Sequence, residues 1–283
     1  MVADGAMGTM LIDRGLQPGN CPESLTLSSP HVLQEIARLY LEAGADIIET
    51  NTFGASPQRL ATYGLAEKTE ELNKAAVQAV RAVVGDGAYV AGSCGPSGKL
   101  LEPYGDVSSD QLYDSFHKQA KSLVEAGVDC VFVETMIDIE EAKLAVQAIK
   151  DISPSVPVVA TMTFESTPRG FHTIMGVSVE AAASGLERVG ADAVGSNCGN
   201  GIENMLEIAR AFKETSNLPL VFQANAGLPQ TVDGMIVYGE TPDFTATAAR
   251  GLMPLGVAVI GGCCGTTPEH IAAIRTMVDQ YTS

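Results

Sequence analysis

Short apolar runs alternate with longer amphipathic stretches along the whole chain, and this alternation constrains the fold more than any other feature. The runs are rich in β-branched residues, as in buried strands, and lie at 45–50, 89–93, 129–135, 156–163, 191–197, 218–225 and 257–261. The stretches with helical spacing lie at 31–43, 68–84, 109–126, 138–150, 178–189, 201–215, 242–254 and 268–281. Apolar strands that alternate with helices are typical of a parallel sheet covered on its outer face.

The number of strands and helices favours a closed barrel. An eighth strand would have to precede Asp4, where only Met1–Ala3 remain. We therefore predict an α/β fold of the (β/α)8 TIM barrel type, with a shortened first strand. The sequence has no low-complexity linker, so we predict one domain over residues 1–283. A doubly wound open sheet is the alternative architecture.

Charge and hydropathy exclude several classes of partner. The formal net charge of −17, from 34 acidic and 17 basic residues, argues against binding to nucleic acids or to anionic membranes. There is no apolar run of about 18 residues, so we predict no membrane span. The first residues include Asp4, Asp13 and Arg14 and lack the pattern of a signal peptide, which predicts a cytoplasmic protein.

Three of the six cysteines gather at the ends of only two predicted strands, the sixth and the eighth, which places them on the active-site face of a barrel. Cys198 follows the run at 191–197, and Cys263 and Cys264 follow the run at 257–261. Adjacent cysteines can share an ion only where the chain leaves the strand and turns, and the glycines that flank this pair permit such a path. Three thiolates suit Zn²⁺ and leave one tetrahedral position open. A vicinal disulfide and a pair of buried thiols are the alternatives.

Two acidic residues are further candidates for the same face. Asp4 and Glu134 lie at the ends of predicted strands, where their carboxylates could hold a substrate ammonium group. Support of neighbouring loops is the alternative role for both residues. The glycine-rich segment Gly261–Gly265 also has a rival use, because backbone amides at this place in a barrel can bind a phosphorylated ligand.

Five segments, taken together and in this order, resemble the motifs of the zinc-dependent homocysteine S-methyltransferase family. They are Asp4–Leu11, Glu49–Ser56, Asn197-Cys198, Asn225–Pro229 and Gly261–Ile271. The resemblance spans nearly the whole chain. Within the family, this sequence is most similar to the homocysteine-binding domain of cobalamin-dependent methionine synthases. S-methylmethionine-using members tend to carry arginine where this chain has a glycine after the cysteine pair, and betaine-using members lack the Thr-Thr-Pro that follows.

The resemblance implies transfer of a methyl group to the thiol of homocysteine, giving methionine, on a zinc ion held by Cys198, Cys263 and Cys264. It implies that Asp4 and Glu134 bind the substrate ammonium group. The other residues that it implies for the site are Gly5 and Ala6, whose backbone would contact the substrate carboxylate, Asn197, and Asn225, which could give zinc an oxygen ligand when no thiol is bound.

The resemblance also implies a methyl donor, and the expected one is methylcobalamin. The chain has no Asp-x-His-x-x-Gly, the motif with which related domains coordinate cobalt, so we expect a separate corrinoid protein to carry the donor. S-methylmethionine and betaine are the alternative donors. A zinc-bearing subunit that only docks a corrinoid protein is a further alternative.

Overall fold

The computed structural model describes residues 1–17, 19–232 and 235–282. The strands are β1 (Ile47–Glu49), β2 (Tyr89–Cys94), β3 (Cys130–Met136), β4 (Val158–Met162), β5 (Glu165–Thr167), β6 (Gly170–His172), β7 (Ala193–Asn197), β8 (Leu220–Ala224), β9 (Gln230–Val232), β10 (Met235–Val237) and β11 (Val259–Gly262). Seven of them form one parallel sheet in the order β1-β2-β3-β4-β7-β8-β11. The pairs β5–β6 and β9–β10 are antiparallel hairpins that lie outside this sheet.

The N-terminal segment joins the two edges of the parallel sheet. Val2 forms a parallel bridge with Ile260, and Ala3 forms one with Ile47. The Ala3 N–H donates to the Ile260 carbonyl at 2.9 Å, and the Asp4 N–H donates to the Ile47 carbonyl at 3.0 Å. The segment therefore occupies the eighth position and closes the sheet. The predicted TIM barrel with a shortened first strand is confirmed, and the open-sheet alternative is excluded.

Helices lie around the barrel and at its rim. They are α1 (Gly8–Asp13), α2 (Leu25–Ser28), α3 (Pro30–Glu42), α4 (Pro57–Ala61), α5 (Thr69–Val84), α6 (Ser109–Ala126), α7 (Ile139–Ile152), α8 (Val179–Arg188), α9 (Ile202–Thr215), α10 (Pro242–Ala249) and α11 (Pro268–Thr282), with 3-10 turns at Pro22–Ser24, Ala66–Lys68 and Arg250–Leu255. The stretch predicted at 242–254 changes to a 3-10 turn after α10; this turn contains Pro254, which has no N–H to continue an α-helix. Within the described ranges, no helix combines the length and the hydropathy that a membrane crossing requires.

The interior of the barrel has an apolar layer below a polar one. The apolar layer takes one buried residue from each of the eight positions: Ala3, Ile47, Ala91, Phe132, Val159, Ala193, Val221 and Val259. Side chains alternate along a strand, so the next inward residues lie two positions further on. These residues are mostly polar: Glu49, Ser93, Glu134, Thr161 and Gln223, with Gly195 and Gly261 between them. The second layer therefore forms a polar floor at the carboxyl ends of the strands.

Helix α6 begins with a complete capping box. The Ser108 hydroxyl accepts from the Gln111 N–H at 3.3 Å, and the Gln111 side chain accepts from the Ser108 N–H at 3.0 Å. We expect Ser108→Ala to lower the free energy of unfolding by about 1 kcal/mol, because a helix N–H loses its partner. Urea unfolding measures the change. The exposed neighbour Ser109 serves as the control, and equal losses in Ser108→Ala and Ser109→Ala would contradict the capping role.

Candidate active site

Three cysteine side chains converge at the carboxyl end of the barrel. The Sγ atoms of Cys198, Cys263 and Cys264 all lie within 4.8 Å of one another, and those of Cys198 and Cys264 are 3.9 Å apart. Sulfur ligands about 2.3 Å from a tetrahedral zinc ion are roughly 3.8 Å apart, a spacing that the Cys198–Cys264 pair matches. All six cysteines are free thiols, and a vicinal disulfide is therefore not formed.

The backbone at both strand ends turns the three thiols toward one point. Strand β11 ends at Gly262, so Cys263 and Cys264 lie in the turn that follows, as predicted for a shared ion. Cys198 has a φ of 60°, in the left-handed region that few residues other than glycine adopt. Thr266 closes the turn, because its hydroxyl donates to the Cys263 carbonyl at 2.7 Å.

The three glycines beside the cysteine pair were expected to give the turn an unusual backbone path, but only one of them has such a conformation. Gly265 alone of the three has a positive φ, of 80°. Gly261 and Gly262 lie in β11 and are needed for space, since a Cβ on Gly262 would lie 2.3 Å from Thr266 Oγ1. The N–H groups of Gly262 and Cys263 donate to barrel carbonyls at 2.9 and 2.7 Å. These two N–H groups are therefore not available to a phosphate group.

An acidic cavity of about 240 Å³ opens beside the thiols. This volume is below the roughly 300–1,000 Å³ of sites for drug-sized ligands, so the cavity suits a small molecule. The chemically active side chains that line it are Cys198, Cys263, Cys264, Glu23, Glu49 and Glu134. Among the described residues of the lining there is no lysine, arginine or histidine. The cavity therefore favours a cationic group and disfavours a phosphate.

Glu134 lines the cavity and is only 6% exposed. The Ser93 hydroxyl donates to its Oε1, and the Asn197 side-chain amide donates to its Oε2 at 3.1 Å. Burial raises the pKa of Glu134 well above its ordinary value, and the neighbouring carboxyl of Glu49 raises it further. Thr135, the next residue, has a φ of 59° at a register shift between β3 and β4. The strained backbone lets both Glu134 and Thr135 face the cavity.

Asp4 lies behind the cavity wall, since it is 1% exposed and is not among the residues that line the cavity. Its Oδ2 accepts from the backbone N–H of Glu49 at 2.9 Å. Its Oδ1 has no hydrogen-bond partner among the described residues. Burial, and then the charge of Glu49, raise the pKa of Asp4 well above its ordinary value. Asp4 is thus close to the floor of the cavity and keeps one acceptor atom unused.

Asn197 is buried and holds Glu134 in place. Its Oδ1 accepts from the Thr135 N–H at 2.7 Å and from the Thr161 hydroxyl at 2.8 Å, while its Nδ2 donates to Glu134. Nδ2 also lies 3.9 Å from the Cys263 sulfur. Asn197 therefore connects the carboxylate wall with the thiol cluster from behind.

Asn225 is 3% exposed, and its Oδ1 has no partner among the described residues. Its chain neighbours are fixed to the cysteine pair, because the Ala226 N–H donates to the Cys264 carbonyl at 3.0 Å and the Cys263 N–H donates to the Ala224 carbonyl at 2.7 Å. A buried amide oxygen that lacks a donor is an available ligand atom for a cation.

Gly5 and Ala6 also line the cavity. The Ala6 N–H already donates to Thr266 Oγ1 at 3.2 Å, and the Tyr40 hydroxyl donates to the Ala6 carbonyl at 2.9 Å. A Cβ on Gly5 would lie 2.7 Å from Thr266 Oγ1, so this close path requires glycine.

Sequence reasoning missed several residues of the site, among them Glu23, Glu49, Gln223 and Tyr238. Glu49 lies in the cavity wall, and the Gln223 side-chain amide donates to its Oε1 at 2.7 Å. Both residues share the inward phase of an apolar strand, and this signal was available in the sequence. Tyr238 covers Gly265, where a Cβ would lie 2.1 Å from the ring. Tyr238 follows a hairpin outside the barrel alternation, so no periodic signal marks it.

Comparison with known proteins agrees with this geometry. The sequence profile described as homocysteine S-methyltransferase matches residues 1–278. The methionine synthases of Mycobacterium leprae (strain TN) and Mycobacterium tuberculosis (strain ATCC 25618 / H37Rv) are each 35% identical over 297 residues, with 98% of this chain and 24% of the relative covered. This chain therefore spans about a quarter of the length of these relatives.

Solved structures support the fold. The homocysteine methyltransferase MmuM from Escherichia coli superposes in its oxidized form with a TM-score of 0.81 and in its metallated form with 0.80, at 24% identity in both. Each comparison covers 98% of this chain and 95% of the other. The profile match over nearly the whole chain places this barrel among enzymes that transfer methyl groups. More narrowly, the chain belongs to the homocysteine S-methyltransferase family.

Proposed function

We propose that this chain holds one zinc ion at Cys198, Cys263 and Cys264 and transfers a methyl group to the thiol of homocysteine, giving methionine. The observation that carries the proposal is the convergence of three sulfur atoms within 4.8 Å at the wall of an acidic cavity. The spacing of the sulfurs and the unpartnered Oδ1 of Asn225 both fit a zinc ion. Such an ion, when bound, would supply an open position for a thiol and favour its thiolate form.

The chain's own residues would orient the substrate. Glu134, and Asp4 through its unused Oδ1, would accept hydrogen bonds from the ammonium group. Of the two backbone units that line the cavity, Gly5 and Ala6, that of Gly5 would contact the substrate carboxylate, because the Ala6 N–H already donates to Thr266 Oγ1. Asn197 would hold Glu134 in position, as its two amide atoms already do.

Orientation contributes more to this reaction than thiol ionisation does. A free thiol with a pKa of about 8.5 is only a few per cent ionised at neutral pH, so full ionisation gains about 2 kcal/mol. Alignment of sulfur, methyl and leaving group can supply roughly 7–11 kcal/mol. The fixed geometry of the thiol cluster and the carboxylate wall therefore matters most.

We propose methylcobalamin, carried on a separate corrinoid protein, as the methyl donor. Large apolar side chains are exposed in the segments that follow β2, β4 and β8, among them Tyr104 (80% exposed), Ile174 (68%) and Ile236 (69%). These segments follow strands of the barrel and so belong to the face that carries the cavity, where exposed apolar side chains suit contact with a protein. A small donor such as betaine or S-methylmethionine needs no such surface, whereas a protein-borne donor must dock there.

We also propose that the chain forms a single domain and that it is located in the cytoplasm. One family profile spans residues 1–278, which supports one domain. Free thiols suited to a metal persist in a reducing compartment, which supports the cytoplasm.

An assay of the zinc-loaded protein tests the proposal. We expect about one zinc per chain and methionine formation from homocysteine with methylcobalamin, and slower turnover with S-methylmethionine or betaine. Turnover with free methylcobalamin would exclude a subunit that only docks a corrinoid protein. Preparations that bind no zinc, or that keep full activity without it, would contradict the proposed function.

A further inference from the structure

Two carboxylates that line the cavity, Glu23 and Glu49, have no role in the scheme above; that of Glu23 already accepts from the Gly54 N–H at 2.7 Å. We propose that Glu49, held by Gln223, binds the ammonium group of the substrate directly and so selects amino-acid thiols over thiols that lack an amino group. The inference rests on the proposed function, because it assigns a substrate-binding role in the same cavity.

The position of Glu49 is the first argument. Glu49 lines the cavity, whereas Asp4 lies behind it and meets Glu49 through the backbone N–H at 2.9 Å. The carboxyl of Glu49 is also close enough to that of Glu134 to raise the pKa of Glu134. Glu49 is therefore the central group of three carboxyls, and a ligand in the cavity reaches it before it reaches Asp4.

The orientation of Glu49 is fixed by a side chain that contributes little else. The Gln223 amide donates to Glu49 Oε1 at 2.7 Å, while the Gln223 Oε1 has no partner among the described residues. The Gln223 side chain, which points into the barrel from β8, therefore serves mainly to hold the Glu49 carboxylate. A charge held in one geometry before the ligand arrives binds more tightly than a mobile one, since less ordering is needed on binding.

The charge of the cavity is the third argument. Like charges this close destabilise each other, and no lysine, arginine or histidine is found among the described residues of the lining. Burial and the carboxyl of Glu49 raise the pKa of both Asp4 and Glu134, as expected of a cluster that lacks a counter-charge. An ammonium group supplies one positive charge and three N–H donors, which suit a group of neighbouring carboxyls that lacks a counter-charge.

The test is Glu49→Gln in the zinc-loaded protein, with calorimetric binding of two thiols. One is homocysteine, and the other is 4-mercaptobutanoate, which lacks only the amino group. We expect homocysteine to bind about 10- to 100-fold more weakly to the variant, the range for loss of a charged hydrogen bond. Binding of 4-mercaptobutanoate should change by less than about threefold. Equal weakening of both thiols, or an unchanged homocysteine affinity, would overturn the assignment.

Controls separate this inference from the proposed function. Glu141→Gln makes the same change at a buried carboxyl that accepts from the Ser97 N–H and does not line the cavity. The homocysteine affinity of this control should equal that of the wild type. Gln223→Met removes the hydrogen bond to Glu49 but keeps its carboxylate, so it should weaken homocysteine binding less than Glu49→Gln does and again leave 4-mercaptobutanoate binding nearly unchanged. This variant provides the test if Glu49→Gln does not fold. A wild-type protein that binds homocysteine and forms methionine, beside a non-selective Glu49→Gln, would defeat this inference alone. A wild-type protein that binds neither thiol would defeat both.

Discussion

Cys263→Ser is expected to abolish tight zinc binding and methyl transfer together. Protein zinc sites of this kind supply about 10–16 kcal/mol, so one of three equal ligands accounts for roughly 3–5 kcal/mol, or a 10²- to 10⁴-fold loss of affinity. Competition with a chelator measures the affinity, and methionine formation from homocysteine measures the activity. Both should fall in the same variant because both depend on the cluster of three sulfurs.

Cys130→Ser is the matched control. Cys130 begins β3, at the end of the barrel opposite the cavity, and it is not part of the cluster. The control should keep the zinc affinity and the activity of the wild type. A Cys263→Ser variant with wild-type zinc affinity, or equal losses in the two variants, would contradict the assignment.

Gly195→Ala is expected to give the largest loss of stability. Gly195 pairs with Val221 across β7 and β8, and a Cβ there would lie 1.7 Å from the Val221 carbonyl oxygen. Because that oxygen belongs to the backbone of a barrel strand, the two strands must separate. We expect a loss of about 3 kcal/mol or more, which is a fall in Tm on the order of 6–10 °C.

The control for this change is another glycine. Gly239 has no neighbour within 4 Å of an added Cβ and no positive φ, so Gly239→Ala should change the stability by less than about 0.5 kcal/mol. Thermal unfolding of both variants gives the comparison. Similar Tm values for the two would show that the barrel tolerates a methyl group at Gly195.

The barrel could be predicted because its signal is repeated along the whole chain. Each predicted strand run overlaps a barrel strand, and even the short first strand followed from the residues left before Asp4. The elements that were missed are short ones, such as α1, α4 and the hairpin β9–β10. Such segments contain too few residues for a hydrophobic period, and contacts with the barrel rim decide their conformation.

The sequence predicted the positions of the three cysteines better than it predicted which carboxylate faces the cavity. Cys198, Cys263 and Cys264 follow strands, so the barrel alone brings them to one end. Asp4 was expected to face the cavity, but the closure of the barrel makes it an acceptor for the Glu49 N–H and places Glu49 in front. Which of two neighbouring carboxylates faces a ligand depends on strand register, and one sequence does not specify register.

Zinc K-edge X-ray absorption on the zinc-loaded protein tests the central claim most directly. Three sulfur neighbours at about 2.3 Å are expected in the wild type, and two in Cys198→Ser. A zinc ion bound without sulfur, or the same sulfur count in both proteins, would contradict the assignment of the three cysteines as ligands.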